Sequence, residues 1–431
     1  MSNSRPFPKG SEPPWAYSNR GWHGVPASYH KWWVENRGQY VIETMKKMHC
    51  SFWLLITDGD SAIEVCDTYQ GRMTVLDFFL SNEIVPVIRD TTDPLFIPYR
   101  NIDNVRKFVD IFASYGIRPM IQLANEPFDS RETSGKPLDP YKDESWEILG
   151  GWWNHAASLV VEAGGNPGFP DGPCFPRNPF PYLNRKIFDD GYGWYVGHFY
   201  MKNRPLDYGL DVVSRTGYEH EDGRLLTWEE YREQLDVYGD PNHPEHRQWV
   251  DVSLDDINKQ RMERKNPSPY PPDHPDFDAT CWRGHEQITA WSQETLGYIV
   301  PMALCEGGSQ PRDRAGSGED IDIRWPLTTP GMVAKKTLQM FQEPTNTMFA
   351  QMPWLFADDF LCQAGFVGWP FDSAVIGWAF MNDNGYEKPI VNLLADNPPE
   401  STCPWKSIRE LVEHIQDTSP PRACGVNPWH H

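Results

Sequence analysis

Apolar and polar positions alternate through the first half of the chain in two rhythms. Val34, Val41, Met45 and Met48 recur at helical spacing over 33–48, and Ser51-Phe-Trp-Leu-Leu-Ile-Thr57 is an apolar run that predicts a buried strand. The pair of rhythms then repeats. A helix around 73–82 precedes Ile84-Val-Pro-Val-Ile88, and a helix over 102–115 precedes Arg118-Pro-Met-Ile-Gln-Leu123. In the latter helix Ile102, Val105, Phe108, Val109 and Phe112 share one face, and Gly116 stands where a left-handed C-terminal cap belongs. Strands apolar on both faces belong to parallel sheets covered by helices. The pattern therefore predicts βα units, in a doubly wound sheet or a barrel.

The second half is more broken. Leu149, Trp152, Trp153, Ala156 and Val160 predict a helix over 146–162, and a Gly- and Pro-rich stretch at 164–181 holds a fifth strand near Gly168-Phe169. Trp194-Tyr-Val-Gly-His-Phe-Tyr200 reads as the sixth strand. Residues 205–280 are charged and Pro-rich, with weak helical patterns at 228–238 and 253–264, and predict an insertion rather than a separate domain. A helix at 282–297 leads to the apolar run Tyr298-Ile-Val-Pro-Met-Ala-Leu304. Helices near 331–342 and 350–361 lead to Ala374-Val-Ile-Gly-Trp-Ala-Phe380 as the eighth strand, with Gly365-Phe-Val-Gly-Trp369 as the alternative, and 403–418 closes the ring as a helix. The expected architecture is one (β/α)₈ TIM barrel over residues 1–431, with a long insertion, 205–280, on its catalytic face.

Composition narrows the function. The balance of 39 basic against 60 acidic residues leaves a net charge of −21, which repels nucleic-acid phosphates and anionic membrane surfaces. No run reaches the roughly 18 apolar residues of a membrane helix. Met1 to Trp15 is polar and Pro-rich and lacks the apolar stretch of a signal peptide, which favours a cytoplasmic location. The eight cysteines are scattered without a Cys-x-x-Cys pair, as expected of buried, reduced thiols. Nineteen tryptophans, 21 phenylalanines and 18 tyrosines fill a large core, and some of them can line a cleft whose flat rings stack on sugars. The chain's oligomeric state is not legible in its residues.

Polar residues collect just after each predicted strand: Asp58, Arg89, and Asn125 with Glu126. In a barrel these share the C-terminal rim, where barrel enzymes keep their chemistry, so Asp58 and Arg89 are candidate substrate contacts. Glu126 and Glu306 lie 180 residues apart, each directly after an apolar strand. Strands four and seven of such a barrel face each other, so the two carboxylates can converge. Hydrolysis of a glycosidic bond needs such a pair: one acid protonates the leaving oxygen, and the other carboxylate attacks the anomeric carbon or activates a water. A lone strand-end glutamate is more often merely solvated. No phosphate-binding Gly-rich loop, dinucleotide fingerprint or Gly-x-Ser-x-Gly elbow is present, and no cofactor is expected. His243-Pro-Glu-His246 lies in a Pro-rich loop rather than on a helix, and Asp58 with Asp60 fits a solvated Gly turn, so neither is read as a metal site.

The words around the two glutamates carry a resemblance. Leu123-Ala-Asn-Glu-Pro127 and Ala303-Leu-Cys-Glu-Gly307 resemble the strand-four and strand-seven signatures of clan A glycoside hydrolases, and His198-Phe-Tyr200 is similar to the His-x-Tyr of the clan's family 5. The resemblance rests on short words in the right order over roughly residues 20–390. It implies a retaining hydrolase of O-glycosidic bonds in a poly- or oligosaccharide, with Glu126 as acid/base and Glu306 as nucleophile. It further implies that Asn125 bonds the sugar hydroxyl next to the anomeric carbon and that Tyr200 reaches the nucleophile. His198 then supports the acid/base or touches sugar, and Trp378, or else Trp369, forms a stacking floor. Arg89 is assigned to hold the nucleophile ionised, although the clan's arginine follows an earlier strand. The alternative is a carbohydrate-binding barrel without catalysis, serving as a structural or adhesive subunit.

Overall fold

The structure, a computed structural model, describes residues 6–26, 38–57, 73–91, 93, 99–129, 132–133, 138–170, 177–201, 206, 282–309, 330–342, 348–354, 356, 376–377, 386–387 and 389–399. Eight strands form one sheet in chain order: β1 Gly21–Pro26, β2 Phe52–Thr57, β3 Val85–Asp90, β4 Met120–Leu123, β5 Asn166–Phe169, β6 Trp194–Tyr200, β7 Met302–Gly308 and β8 Met348–Gln351. Every neighbouring pair is parallel. A parallel bridge between Arg20 and Gln351 brings the last strand back to the first, with Gln351 N donating to Asn19 O at 2.7 Å. Helices alternate with the strands: α1 (38–47), α2 Val75–Ser81, α3 Ile102–Ala113, α4 Asp143–Ala163, α5 Arg185–Asp189, α6 Gly284–Leu296, α7 Pro330–Gln342 and α8 Pro389–Asp396. The protein is a (β/α)₈ barrel, and none of its described helices is long and apolar enough to cross a membrane.

Strand period sorts the side chains into an inner and an outer set. Phe52 and Trp194 both approach Phe349, at 6.3 and 5.6 Å between ring centroids. The strands β2, β6 and β8 that carry them are not neighbours, so these rings meet inside the barrel. Phe7 and Tyr17, from the segment ahead of β1, close on Phe52 at the barrel floor. Residues one step along each strand face outward instead. Trp53 stacks on Phe79 of α2 at 5.3 Å, and Phe169 packs on Trp153 of α4 at 5.7 Å. Such pairs add about 0.5–1.5 kcal/mol each beyond plain burial. Trp22, Trp53, Trp146, Trp152, Trp153, Trp194 and Trp282 are all fully buried, so much of the aromatic load serves the core. Cys50 and Cys305 are free and buried.

The seam needs its own fastening. Arg20 is buried beside it and donates to Met48 O, Leu394 O and Asn397 O, the last at 2.8 Å, tying the entry of β1 to the C-terminal end of α8. Cations at helix C-termini are favoured by the orphan carbonyls and the dipole there.

The observed strands correct the sequence reading at the seam. The eighth strand is Met348–Gln351, not 374–380 or 365–369, and its last two residues stand inside the stretch read as a helix at 350–361. Of the 374–380 run, Ile376–Gly377 pairs antiparallel with Tyr386–Glu387, outside the ring. Trp369 and Trp378 lie outside the described residues, as do the insertion 205–280 apart from Leu206, the metal candidate 243–246 and the helix expected over 403–418. The first strand, Gly21–Pro26, reads Gly-Trp-His-Gly-Val-Pro and carries no apolar run that would mark it.

Candidate active site

Five strands deliver their ends to one rim. Arg89 lies near the end of β3, Asn125 and Glu126 follow β4, His198 and Tyr200 end β6, and Glu306 stands in β7. His23 comes from β1. Arg89 is paired in register with Gln122, and His198 with Glu306, so within each pair the side chains share a face. Arg89 Nη1 donates to Glu306 Oε2 at 2.7 Å. Since β3 and β7 are not neighbours, that bond crosses the barrel, and the shared face is the inner one.

The aim of Glu306 depends on an irregularity in the ladder. Ala303 pairs with Val196 and Leu304 with Gly197, but His198 pairs with Glu306, leaving Cys305 as an extra residue. Plain alternation would turn Cys305 inward and Glu306 outward. A bulge of one residue reverses this. Gly307 follows at φ 114°, where a Cβ would meet Phe199 O at 2.5 Å, so a glycine is required for β7 to pass β6 so closely.

Glu306 has a buried side chain, 11% exposed, and a full set of donors. Besides Arg89, the Tyr200 hydroxyl donates to its Oε1. Burial opposes its charge, but Arg89 first, then His198, His23 and the Tyr200 hydrogen bond, outweigh burial and hold the carboxyl down to about 2. The same closeness pushes the Tyr200 hydroxyl well above its ordinary range, through burial and then the charges of Glu306 and Glu126, so it stays a donor. Arg89 is itself fixed on all sides. It donates to Gln122 Oε1 at 3.1 Å and Cys305 O at 3.0 Å, and its Nη2 stands 3.4 Å from His198 Nε2.

That last contact decides the histidine tautomer. A guanidinium only donates, so His198 Nε2 accepts and the ring proton sits on Nδ1. Nδ1 then donates to Glu126 Oε1 at 3.0 Å. Glu126 stands in a bent segment where Ala124 and Glu126 have φ of 64° and 25°. Positive φ is uncommon for residues with a Cβ, and the bend turns this side chain over the barrel mouth. A carboxylate oxygen of Glu126, one of Glu306 and a ring nitrogen of His198 lie within 4.8 Å of one another. Among the described residues this is the one His/Cys/Asp/Glu group with metal-ligand spacing. Arg89 already occupies Glu306 Oε2, and its fixed positive charge opposes a cation there.

The structure therefore brings together Glu126, Glu306, Asn125, His198, Tyr200 and Arg89. Asp58, Trp378 and Trp369 lie outside the described residues. Four further side chains have no signal in the sequence. Gln122 bridges Arg89 and Ala124 O. Glu132 accepts from Asn125. His23 lies 3.8 Å from Glu306 Oε2 and donates through Nδ1 to Gly24 O at 2.8 Å. Burial and the charge of Arg89 lower its pKa to about 3, so the ring is neutral at ordinary pH. Trp354, three residues past β8, packs its ring 4.4 Å from that of His23, and is the aromatic side chain the described structure places at the end of strand eight. A glutamine inside a strand, a glutamate in a loop and a histidine before a glycine are each ordinary in sequence. Only their meeting marks them.

Removing Arg89 should change how Glu306 titrates. A depressed carboxylate contributes stability that is present above its unfolded pKa, about 4.3, and is lost as pH falls through about 2. In Arg89→Met burial is no longer outweighed, so the Glu306 pKa is expected to rise. The acid limb of kcat/KM should move up by more than one pH unit, so that at pH 3 activity relative to its plateau falls about twofold or more. A pH–rate profile of the variant checks this, and an unmoved acid limb counts against Arg89 as the group that keeps Glu306 ionised.

No protein-family model matches the chain, and no curated protein matches its sequence. Solved structures similar to it include a GH5_18 protein from Bifidobacterium longum subsp. infantis, 10% identical over 89% of this chain and 80% of that one, with a TM-score of 0.38. A GH5_18 variant from Bifidobacterium longum subsp. longum, in complex with Manβ1-4GlcNAc, is 9% identical over 94% of this chain and 80% of that one, at a TM-score of 0.41. A family 1 β-glucosidase from Thermotoga maritima is 12% identical over 84% and 86%, at 0.39. These are clan A glycoside hydrolases, and each is a distant likeness of this chain.

Proposed function

We propose that this protein is a retaining glycoside hydrolase that cleaves O-glycosidic bonds of a poly- or oligosaccharide by double displacement, with Glu126 as acid/base and Glu306 as nucleophile. The observation that carries the reading is the approach of the two carboxylates to within 4.8 Å, oxygen to oxygen. An inverting enzyme keeps its carboxyl groups about 6.5–9.5 Å apart to admit a water, whereas a retaining one sets them at about 5–5.5 Å.

The surrounding groups divide the work unequally between the two acids. Glu306, held ionised by Arg89 and Tyr200, attacks the anomeric carbon as the bond to the leaving oxygen breaks, and that oxygen takes the Glu126 proton. Ester formation removes the negative charge opposite Arg89. The unmatched guanidinium then favours return of the carboxylate, which helps Glu306 leave in the second step. In that step Glu126, now a base, takes a proton from the water that attacks the anomeric carbon. His198, fixed in one tautomer, keeps Glu126 Oε1 engaged through both steps.

Two measurements test the reading together. Proton NMR of the first-formed product from an aryl glycoside is expected to show retained configuration. A 2-deoxy-2-fluoro glycoside is expected to leave its sugar on the peptide that contains Glu306. A label on Glu126 would exchange the two roles, and an inverted product with no adduct would rule out double displacement.

A further inference from the structure

A buried nitrogen beside Glu306 lacks a partner among the described residues. His23 is fully buried in β1, and its Nδ1–H donates to Gly24 O at 2.8 Å, so its Nε2 carries a lone pair. That nitrogen lies 3.8 Å from Glu306 Oε2 and makes no hydrogen bond. Two acceptors thus face each other with no proton between them, because the ring is neutral at ordinary pH. Only near pH 3, where the ring takes up a proton, does His23 favour the Glu306 charge. Buried polar atoms are nearly always paired, and an orphan next to a reacting group calls for an explanation. The ring is not free to turn toward another donor. The backbone N of His23 donates to Pro353 O and its O accepts from Phe356 N, both at 3.1 Å, and the ring packs against Trp354.

Arg89 can supply the donor that His23 Nε2 lacks. Its Nε and Nη2 are held by Gln122, Cys305 O and His198, whereas Nη1 donates to Glu306 Oε2 at 2.7 Å. Arg89 Nη1 and His23 Nε2 therefore converge on the same carboxylate oxygen. Resting on the double-displacement reading, we infer that His23 is a positioning residue for the covalent intermediate, its Nε2 the acceptor held ready for Arg89 Nη1 when Glu306 becomes an ester. In the first step a Glu306 oxygen bonds the anomeric carbon as the bond to the leaving oxygen breaks. The ester is neutral, and it strands a buried guanidinium without its counter-charge. A neighbouring lone pair offsets part of that loss, since a hydrogen bond to a charged group contributes more than one between neutral groups. His23 accordingly favours the ester over the carboxylate. It speeds formation of the glycosyl-enzyme and slows its hydrolysis. In that hydrolysis water bonds the anomeric carbon, Glu126 takes the water's proton and Glu306 departs as the carboxylate.

The two steps can be timed separately with 2,4-dinitrophenyl 2-deoxy-2-fluoro glycosides of gluco, galacto and manno configuration. The rate at which activity is lost reports formation of the ester, and the rate of its return after excess reagent is removed reports hydrolysis. His23→Phe keeps a ring against Trp354 but offers no acceptor. In this variant the loss of activity is expected to slow about fivefold or more, and its return to quicken about fivefold or more. His23→Gln, whose amide oxygen accepts, is expected to stay within about twofold of wild type in both rates. Both rates falling together in His23→Phe overturns the inference, because a merely structural defect slows both steps. Unchanged rates overturn it as well, and so does a His23→Gln no closer to wild type than His23→Phe. If His23→Phe does not fold, His23→Leu serves in the same comparison. A wild type that no member of the panel inactivates overturns the double-displacement reading itself. An inactivated wild type whose two rates do not diverge in the variants overturns this inference alone.

Discussion

Glu306→Gly is expected to lower turnover by roughly 10⁴-fold or more, because in the proposed double displacement its carboxylate forms the bond to the anomeric carbon. The substitution leaves a space beside Tyr200 and Arg89, both of which still point their donors into it. A small anion such as azide fits the chemistry of that space, where a buried guanidinium has lost its carboxylate. With an activated aryl glycoside, azide is expected to restore the first displacement and yield the glycosyl azide of inverted configuration. Mass spectrometry and NMR of the product read this directly. The variant should also melt at a lower temperature, since stranding one partner of a buried ion pair costs about 3–5 kcal/mol. Arg89 keeps its bonds to Gln122 and Cys305 O, which places the loss at the low end of that range. Full turnover without azide would remove Glu306 from the mechanism.

Glu126→Gln divides substrates by leaving group. A poor leaving group needs a proton as its bond breaks, so its kcat/KM is expected to fall by about 10²–10⁴. An activated nitrophenyl glycoside needs none, and its first step should be largely spared. Its second step loses the base that activates water, so the glycosyl-enzyme should accumulate and a burst of nitrophenol should precede slow turnover. The amide preserves local structure, because His198 Nδ1–H can donate to the glutamine oxygen as it does to the carboxylate. Equal losses on both substrate types, with no burst, would mean that Glu126 is not the acid.

The two glutamates were legible because each closes an apolar run of strand length, in words that resemble one family at the right interval. The helices over 102–115 and 146–162 were legible for a similar reason. Periodicity records which faces of an element are buried, and that requirement is local. What the sequence alone determined is therefore the alternation of elements and the rim on which their last residues stand.

Tertiary structure decided the rest. Gly21–Pro26 and Met348–Gln351 carry too little apolar pattern to announce themselves, and they are strands because β2, β7 and each other supply their partners. The inward aim of Glu306 comes from the register shift at Cys305, a property of β7 against β6 and not of β7 by itself. Arg89 meets Glu306 from 217 residues away, and only closure of the ring brings them within 2.7 Å. His23, Gln122 and Trp354 join the site in the same way. A side chain's chemistry is written at its own position, but its partner, and with it its charge state, is fixed by packing between segments that share no local signal.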